Sequence, residues 1–143
     1  NILNDYPNKI IIPIDIVETN EISNNSDYNI TDVSKIDENK IGVDIGPKTI
    51  ALFKEYIEKS KLVVWNGPVG IFEYEHFANG TKELCKILSS LDATTIIGGG
   101  DTAAAVIKYG YKDKVTHVST GGGASLELLE GKNLPGIEAI DNI

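Results

Sequence analysis

Three glycine-containing turns are the features of this sequence best suited to chemistry. They are Asn66-Gly67-Pro68, Gly98-Gly99-Gly100 and Gly121-Gly122-Gly123. Each follows a short apolar run, so each is predicted at the carboxyl end of a strand, the edge where open parallel sheets bind ligands. Glycines leave backbone N–H groups accessible, and the helix expected behind each turn adds partial positive charge. The repeated pattern favours a phosphate-bearing ligand over simple tight turns.

Two acidic residues close to these turns are candidate ligand contacts. Asp101 directly follows the second glycine cluster, and a carboxylate oxygen suits Mg²⁺, which binds one or two carboxylates together with nucleotide phosphates. The same side chain could instead be the N-cap of the next helix, and the two roles are compatible. Glu73 could reach a ribose hydroxyl, or it could be a solvated loop charge.

Two sequence motifs suggest other nucleotide folds. Residues 98–103 satisfy G-x-G-x-x-[GA], the dinucleotide fingerprint, which would indicate an oxidoreductase domain. That fingerprint needs an acidic residue about 20 positions later, and the next predicted strand ends in Ser119-Thr120. A P-loop is not present, because Pro47 separates Gly46 from Lys48. A non-catalytic module that binds nucleotide or phosphate remains an open alternative.

Short apolar runs alternate with longer amphipathic ones along the chain. Strands are predicted at 10–17, 61–65, 94–97 and 115–118, and helices at 48–59, 75–91, 103–109 and in the segment ending at 130. The polar stretch 18–40 is expected to be an exposed excursion with one short edge strand. Strands separated by helices pair in parallel, with helices on both faces. The predicted fold class is therefore α/β, a doubly wound, Rossmann-like parallel sheet in three α/β/α layers.

Composition limits the partners and the compartment. The 143 residues include 13 basic and 21 acidic side chains, a net charge of −8, which disfavours nucleic acid and anionic membranes as partners. No apolar run approaches the roughly 18 residues of a membrane span. The single cysteine, Cys85, is expected in the core and fits a reducing cytoplasm. Because methionine is lacking and residue 1 is Asn, we expect the chain to be a piece of a longer protein.

Long motifs in three segments strongly resemble phosphoglycerate kinase. They are Val64–Glu73, Gly98–Ala104 and His117–Gly131. Segments 44–49 and 134–139 agree in order and spacing, and the stretch 18–40 agrees least. The resemblance implies a glycolytic enzyme that transfers a phosphoryl group between 1,3-bisphosphoglycerate and ADP, giving 3-phosphoglycerate and ATP with Mg²⁺.

The resemblance also implies roles for individual residues. The implied nucleotide contacts are Asn66, Gly67, Pro68, Val69, Gly98, Gly99, Gly100 and Thr102, the last of them at a phosphate. Glu73 would hold the ribose and Asp101 would serve the metal. The glycines that would cradle the phosphoryl group during transfer are Gly121, Gly122 and Gly123.

Members of this family have two lobes that close on each other during catalysis. The N-terminal lobe, which holds phosphoglycerate, has no counterpart in this sequence. Residues 1–143 are therefore predicted to be the second half of the C-terminal, nucleotide-binding lobe, inactive in isolation. The expected partners of the full-length protein are ATP or ADP, and phosphoglycerate through the N-terminal lobe. We expect that protein to be a cytoplasmic monomer.

Overall fold

The computed structural model describes residues 1–140. Within them the strands are β1 Asp15–Thr19, β2 Tyr28–Asp32, β3 Ile41–Ile45, β4 Leu62–Asn66, β5 Thr94–Gly98 and β6 His117–Ser119. The α-helices are α1 Ile2–Asp5, α2 Pro47–Glu58, α3 Asn79–Ser89, α4 Gly100–Lys108, α5 Gly122–Leu129 and α6 Pro135–Glu138. The chain divides into two compact units. Unit 1 contains Asn1–Ser60 and Val69–Ile87, and unit 2 contains Lys61–Pro68 and the chain from Leu88 onward.

Unit 2 is built on a parallel sheet of order β4-β5-β6. The helix α4 connects β5 to β6 and packs against both strands, because a parallel pair requires a crossover long enough to return to the same end of the sheet. Ile97 and Val106 are fully buried in this unit. The predicted α/β class, with a parallel sheet flanked by helices, is confirmed.

Unit 1 contains a separate, antiparallel sheet of order β2-β1-β3. Among the described residues, no α-helix lies between β1 and β3, so the chain reverses through short connections and its strands pair antiparallel. The strand β2 is the short edge strand expected within 18–40. The sequence prediction placed the first strand in the parallel sheet and predicted no strand at residues 41–45. Both assignments were wrong, since β1 pairs with β2 and β3.

Several element boundaries differ from the prediction for local reasons. The first strand begins at Asp15 rather than at residue 10, after Pro13, which has no amide hydrogen to donate to a sheet. The helix α3 begins at Asn79 because residues 75–77 form a 3₁₀ turn. The helices α4 and α5 begin on glycines, Gly100 and Gly122, so part of each cluster belongs to a first helical turn.

The core of unit 1 centres on Phe77, which is fully buried and clusters with Val17 and Val43. Ile71 and Tyr74 pack against this cluster. Cys85 is also buried, as predicted, and burial raises the pKa of its thiol to about 11. No helix within residues 1–140 is both long enough and apolar enough to cross a bilayer.

Candidate functional site

The ends of the three parallel strands lie in register. Asn66 at the end of β4 pairs with Gly98 of β5, and Gly98 pairs with Ser119 at the end of β6. The three loops that follow therefore leave the sheet at one level. In unit 2 this arrangement brings the glycine clusters together at the carboxyl edge, the position at which parallel α/β sheets bind ligands.

The second and third clusters are in close contact. A Cβ atom on Gly122 would lie 2.7 Å from the Cα atom of Gly99, and Gly99 has a φ of +92°. Side chains at these two positions would separate the loops or strain the backbone. Asn66 joins the clusters, because its Nδ2 donates to the carbonyl oxygen of Gly122 at 3.4 Å, while its Oδ1 would lie 3.0 Å from a Cβ on Gly99.

The first loop is fixed through both polar groups of Gly67. Its N–H donates to Thr102 Oγ1 at 2.7 Å, and its carbonyl oxygen accepts from Trp65 Nε1 at 2.7 Å. Gly67 has a φ of +101°, a conformation that favours glycine. Thr102 is almost completely buried. Its hydroxyl therefore links the first loop to the first turn of α4.

The helices α4 and α5 both begin at this edge. The N-cap residues of α4 and α5 are Gly99 and Gly121, neither of which caps its helix through a side chain. The first amides of both helices therefore have no side-chain acceptor of the usual kind. A Cβ on Gly100 or Gly123 would meet no atom within 4 Å. Open space beside uncapped amides is suited to an anion.

Asp101 lies in the first turn of α4 and is exposed. Since Gly99 is the N-cap, the interpretation of Asp101 as the capping residue was wrong. A carboxylate is electrostatically favourable in this turn. Its exposure and oxygen chemistry suit Mg²⁺, which keeps several of its waters when it binds to protein and phosphate.

Val69 and Glu73 belong to unit 1. They lie in residues 69–78, the segment between the first loop and α3, which we call the arch. The Val69 N–H donates to Thr81 Oγ1 at 3.3 Å, and the Ile71 N–H donates to the carbonyl oxygen of Val43 at 3.0 Å. Glu73 is exposed on an arch whose backbone is fixed on β3.

Sequence reasoning overlooked two buried carboxylates in unit 1, the first of which is Asp15. It accepts hydrogen bonds from the N–H groups of Lys48 and Thr49 at 3.0 and 2.7 Å, and from Thr49 Oγ1 at 2.7 Å. Burial by itself would raise its pKa, but these hydrogen bonds and the charge of Lys48 outweigh burial and lower the pKa. Asp15 therefore supplies the capping side chain that Gly46, the N-cap of α2, lacks.

The second buried carboxylate is Asp44. It accepts from the Gly80 N–H at 2.7 Å, from the Ile45 N–H at 2.8 Å and from the Asn79 N–H. Burial raises its pKa to about 6, although these amides act in the opposite direction. Both aspartates could have been noticed in the sequence, because each stands alone between aliphatic residues of a β-branched run.

The end of β6 also tests the dinucleotide-binding alternative. The strand β6 ends at Ser119, where that fingerprint would place an acidic residue for the ribose. A serine in that position does not supply the carboxylate on which the oxidoreductase interpretation depends. The residues at the carboxyl edge do not favour it.

The parallel sheet and its glycine loops define an α/β domain of the class that binds phosphate-bearing ligands at its carboxyl edge. A family profile described as phosphoglycerate kinase matches residues 1–132. The chain belongs to the phosphoglycerate kinase family.

Individual relatives agree with this assignment. The chain is 57% identical over 135 residues to the phosphoglycerate kinase of Fusobacterium nucleatum. This alignment covers 94% of the chain and 34% of the relative. The chain is 54% identical over 134 residues to the phosphoglycerate kinase of Clostridioides difficile, with 93% and 34% covered. The chain therefore spans about a third of the length of these curated relatives.

Solved structures give the same result. Phosphoglycerate kinase from Coxiella burnetii aligns with a TM-score of 0.85 and 36% identity, covering 92% of this chain and 34% of that one. Phosphoglycerate kinase from Pyrococcus horikoshii aligns with a TM-score of 0.84 and 33% identity, covering 98% and 34%. The fold described above is thus the fold of a segment of these enzymes.

Proposed function

We propose that the full-length protein transfers a phosphoryl group between 1,3-bisphosphoglycerate and ADP, giving 3-phosphoglycerate and ATP. Residues 1–143 would supply part of the C-terminal, nucleotide-binding lobe. The observation that carries this proposal is the register of Asn66, Gly98 and Ser119, which aligns three glycine loops at one sheet edge in a member of this family. Phosphoglycerate would bind through the N-terminal lobe of the full-length protein.

In unit 2, the loop glycines would act through their backbone amides. Gly98, Gly99 and Gly100, together with Thr102, would contact the nucleotide phosphates. Gly121, Gly122 and Gly123 would cradle the phosphoryl group during transfer. The open N-termini of α4 and α5 support both assignments, because fixed N–H groups stabilise negative charge on phosphate oxygens without having to reorient.

The remaining proposed nucleotide contacts follow the first loop. Asn66, Gly67, Pro68 and Val69 would line the nucleotide site. Glu73 would accept hydrogen bonds from ribose hydroxyls, a role for which an exposed carboxylate is chemically suited. These assignments rest on the family motif and, for Asn66 and Glu73, on the exposure of the side chain.

Asp101 is the proposed Mg²⁺ residue. Bound Mg²⁺ would neutralise charge on the phosphates. Asp101 would hold the ion through a carboxylate oxygen, directly or through a water, and its position in the first turn of α4 would keep that oxygen beside the phosphate-binding amides. Its exposure leaves room for the waters that Mg²⁺ retains.

The test is substitution of Asp101 in the full-length protein. We expect Asp101→Ala to lower kcat about 100-fold at fixed Mg²⁺, measured by coupling ATP formation to a reporter enzyme. Asp113→Ala is the matched control, because Asp113 is an exposed acid in a 3₁₀ turn of the same unit. Unchanged kinetics for Asp101→Ala would contradict the metal assignment. Formation of ATP by residues 1–143 alone would contradict their proposed dependence on the rest of the enzyme.

We also propose that the full-length protein is a cytoplasmic monomer. A buried, unpaired Cys85 fits a reducing compartment. Light scattering coupled to size-exclusion chromatography would measure the mass of the full-length protein in solution. A mass of two or more chains would contradict the monomer.

A further inference from the structure

Both ends of the arch pack directly on one buried carboxylate. A Cβ atom on Gly70, near the start of the arch, would overlap Asp44 Oδ1, and a Cβ on Gly80, just after its end, would overlap the same atom. Asp44 itself is only 5% exposed. The absence of side chains at the two glycines is what allows the backbone to approach the carboxylate this closely.

Hydrogen bonds fix the second of these contacts. Asp44 Oδ2 accepts from the Gly80 N–H at 2.7 Å, and the Asn79 N–H also donates to this carboxylate. These are the first two residues of α3, so an aspartate on β3 acts as the cap of a helix more than 30 residues later in the sequence. The end of the arch is thereby tied to β3, an edge strand of the antiparallel sheet.

The arch is held to the same strand between its ends. The Ile71 N–H donates to the carbonyl oxygen of Val43, next to Asp44, and Phe77 is fully buried against Val17 and Val43. Glu73 lies between these two fixed points, with its side chain exposed. The position of its backbone is therefore determined by the contacts of the arch with β3 and with Val17 of β1.

We propose that Asp44 is a positioning residue for Glu73, fixing both ends of the arch so that the Glu73 carboxylate is presented to a ribose in one place. The inference rests on the proposed function, in which Glu73 contacts the nucleotide. Asp44 acts only through the arch, because it is too deeply buried to reach a ligand. A merely structural Asp44 would stabilise the protein without affecting nucleotide binding.

Asp15 offers a matched comparison. It is also buried, and it also holds the start of a helix, α2, through backbone N–H groups. A Cβ on Gly46 would overlap Asp15 in the same way that one on Gly70 would overlap Asp44. The contacts described for Asp15 lie at α2 rather than in the arch, so substitutions there report on general loss of stability.

The experiment uses the full-length protein with four variants, Glu73→Gln, Asp44→Asn, the double variant and Asp15→Asn. We expect Glu73→Gln and Asp44→Asn each to raise the nucleotide KM roughly fivefold to tenfold, with kcat within about twofold. The double variant should have the KM of Glu73→Gln alone, because Asp44 acts through Glu73. Asp15→Asn should leave the nucleotide KM unchanged.

Each other outcome has a definite meaning. If the two KM effects multiply in the double variant, or if Asp44→Asn behaves like Asp15→Asn, the positioning role of Asp44 is overturned while the ribose contact stands. If Glu73→Gln leaves KM unchanged, the ribose contact and the positioning role both fail. Failure of the proposed reaction itself would be seen separately, as a wild-type protein that forms no ATP from ADP and 1,3-bisphosphoglycerate.

A second variant covers the case in which Asp44→Asn does not fold. Gly70→Ala leaves the carboxylate intact but inserts a methyl group against Asp44 Oδ1 and the carbonyl oxygen of Phe77. Gly70→Ala should raise the nucleotide KM. When it is combined with Glu73→Gln, the KM should equal that of Glu73→Gln alone. The control for Gly70→Ala is Gly46→Ala, which makes the equivalent overlap at Asp15. An unchanged KM for folded Gly70→Ala would overturn the proposal.

Discussion

Asp15 and Asp44 have similar roles in unit 1 and differ in their electrostatics. Each is a buried aspartate of the antiparallel sheet that accepts hydrogen bonds from the first amides of a helix. The pKa of Asp15 is lowered, whereas burial raises the pKa of Asp44 to about 6. Desolvation outweighs the amide donors at Asp44, whereas at Asp15 the added hydroxyl hydrogen bond from Thr49 and the charge of Lys48 outweigh it.

Capping a helix does not by itself compensate for burying a charge. The donors found for Asp44 are backbone N–H groups alone. Its shift from 3.8 to about 6 means that folding disfavours the ionised form by about 3 kcal/mol. At neutral pH the ionised Asp44 is therefore less favourable in the fold than its protonated form would be.

Removing the hydroxyl donor that distinguishes Asp15 from Asp44 should change stability more than any other substitution considered for the two sites. Thr49→Val should lower the free energy of unfolding by about 3 kcal/mol, because Thr49 Oγ1 donates to Asp15 and accepts from the N–H groups of Ile14 and Asp15. Urea unfolding of the full-length protein would measure the loss. Thr81→Val is the control. Thr81 is the third residue of α3, as Thr49 is of α2. The one hydrogen bond described for its hydroxyl is donated by the Val69 N–H. Equal losses of unfolding free energy in Thr49→Val and Thr81→Val would contradict the special contribution of Thr49 to the Asp15 site.

The next effect is the pH dependence due to Asp44. Since its folded pKa of about 6 is above the unfolded value of 3.8, its protonation stabilises the fold below pH 3.8, and this stabilisation is lost as the pH rises through 6. The wild-type protein should therefore gain about 2 kcal/mol relative to Asp44→Asn between pH 7 and pH 4.5. Unfolding free energies of both proteins at the two pH values would measure it. A constant difference between the proteins would mean that the Asp44 carboxyl is not perturbed by burial.

The two units also differ in how well the sequence predicts them. In unit 2 the signals are local, since β-branched runs such as the one ending at Ile97 lead directly into glycines and a helix. Neighbouring residues therefore determine the strands β4, β5 and β6 and the edge where their loops meet. The glycine clusters were recognised for the same reason. What the sequence did not reveal was that α4 and α5 begin on the glycines themselves, because glycine is unfavourable within helices and normally argues against them.

Unit 1 was predicted less well because its decisive contacts are distant in sequence. Asp15 bonds to Thr49, 34 residues away, and Asp44 bonds to Gly80, 36 residues away. The strand β3 was missed because Gly42 and Asp44 interrupt its apolar pattern, and both residue types are disfavoured in strands. Asp44 is accommodated there because the start of α3 and Ile45 supply amides to it. Such a residue is recognised once the helix it caps is known.

The smallest expected effect is the acid sensitivity contributed by Asp15. Its folded pKa is lowered by the hydrogen bonds and charge at α2, so its ionised form stabilises the fold above pH 3.8, and this stabilisation is lost as the pH falls through the folded pKa. The advantage of the wild-type protein over Asp15→Asn should therefore shrink below pH 3.8, opposite in sign to the change at Asp44. Urea midpoints at a series of acidic pH values would show it. If the two aspartate variants instead changed with pH in the same direction, the donors at α2 would not be the cause of the difference between the two carboxylates.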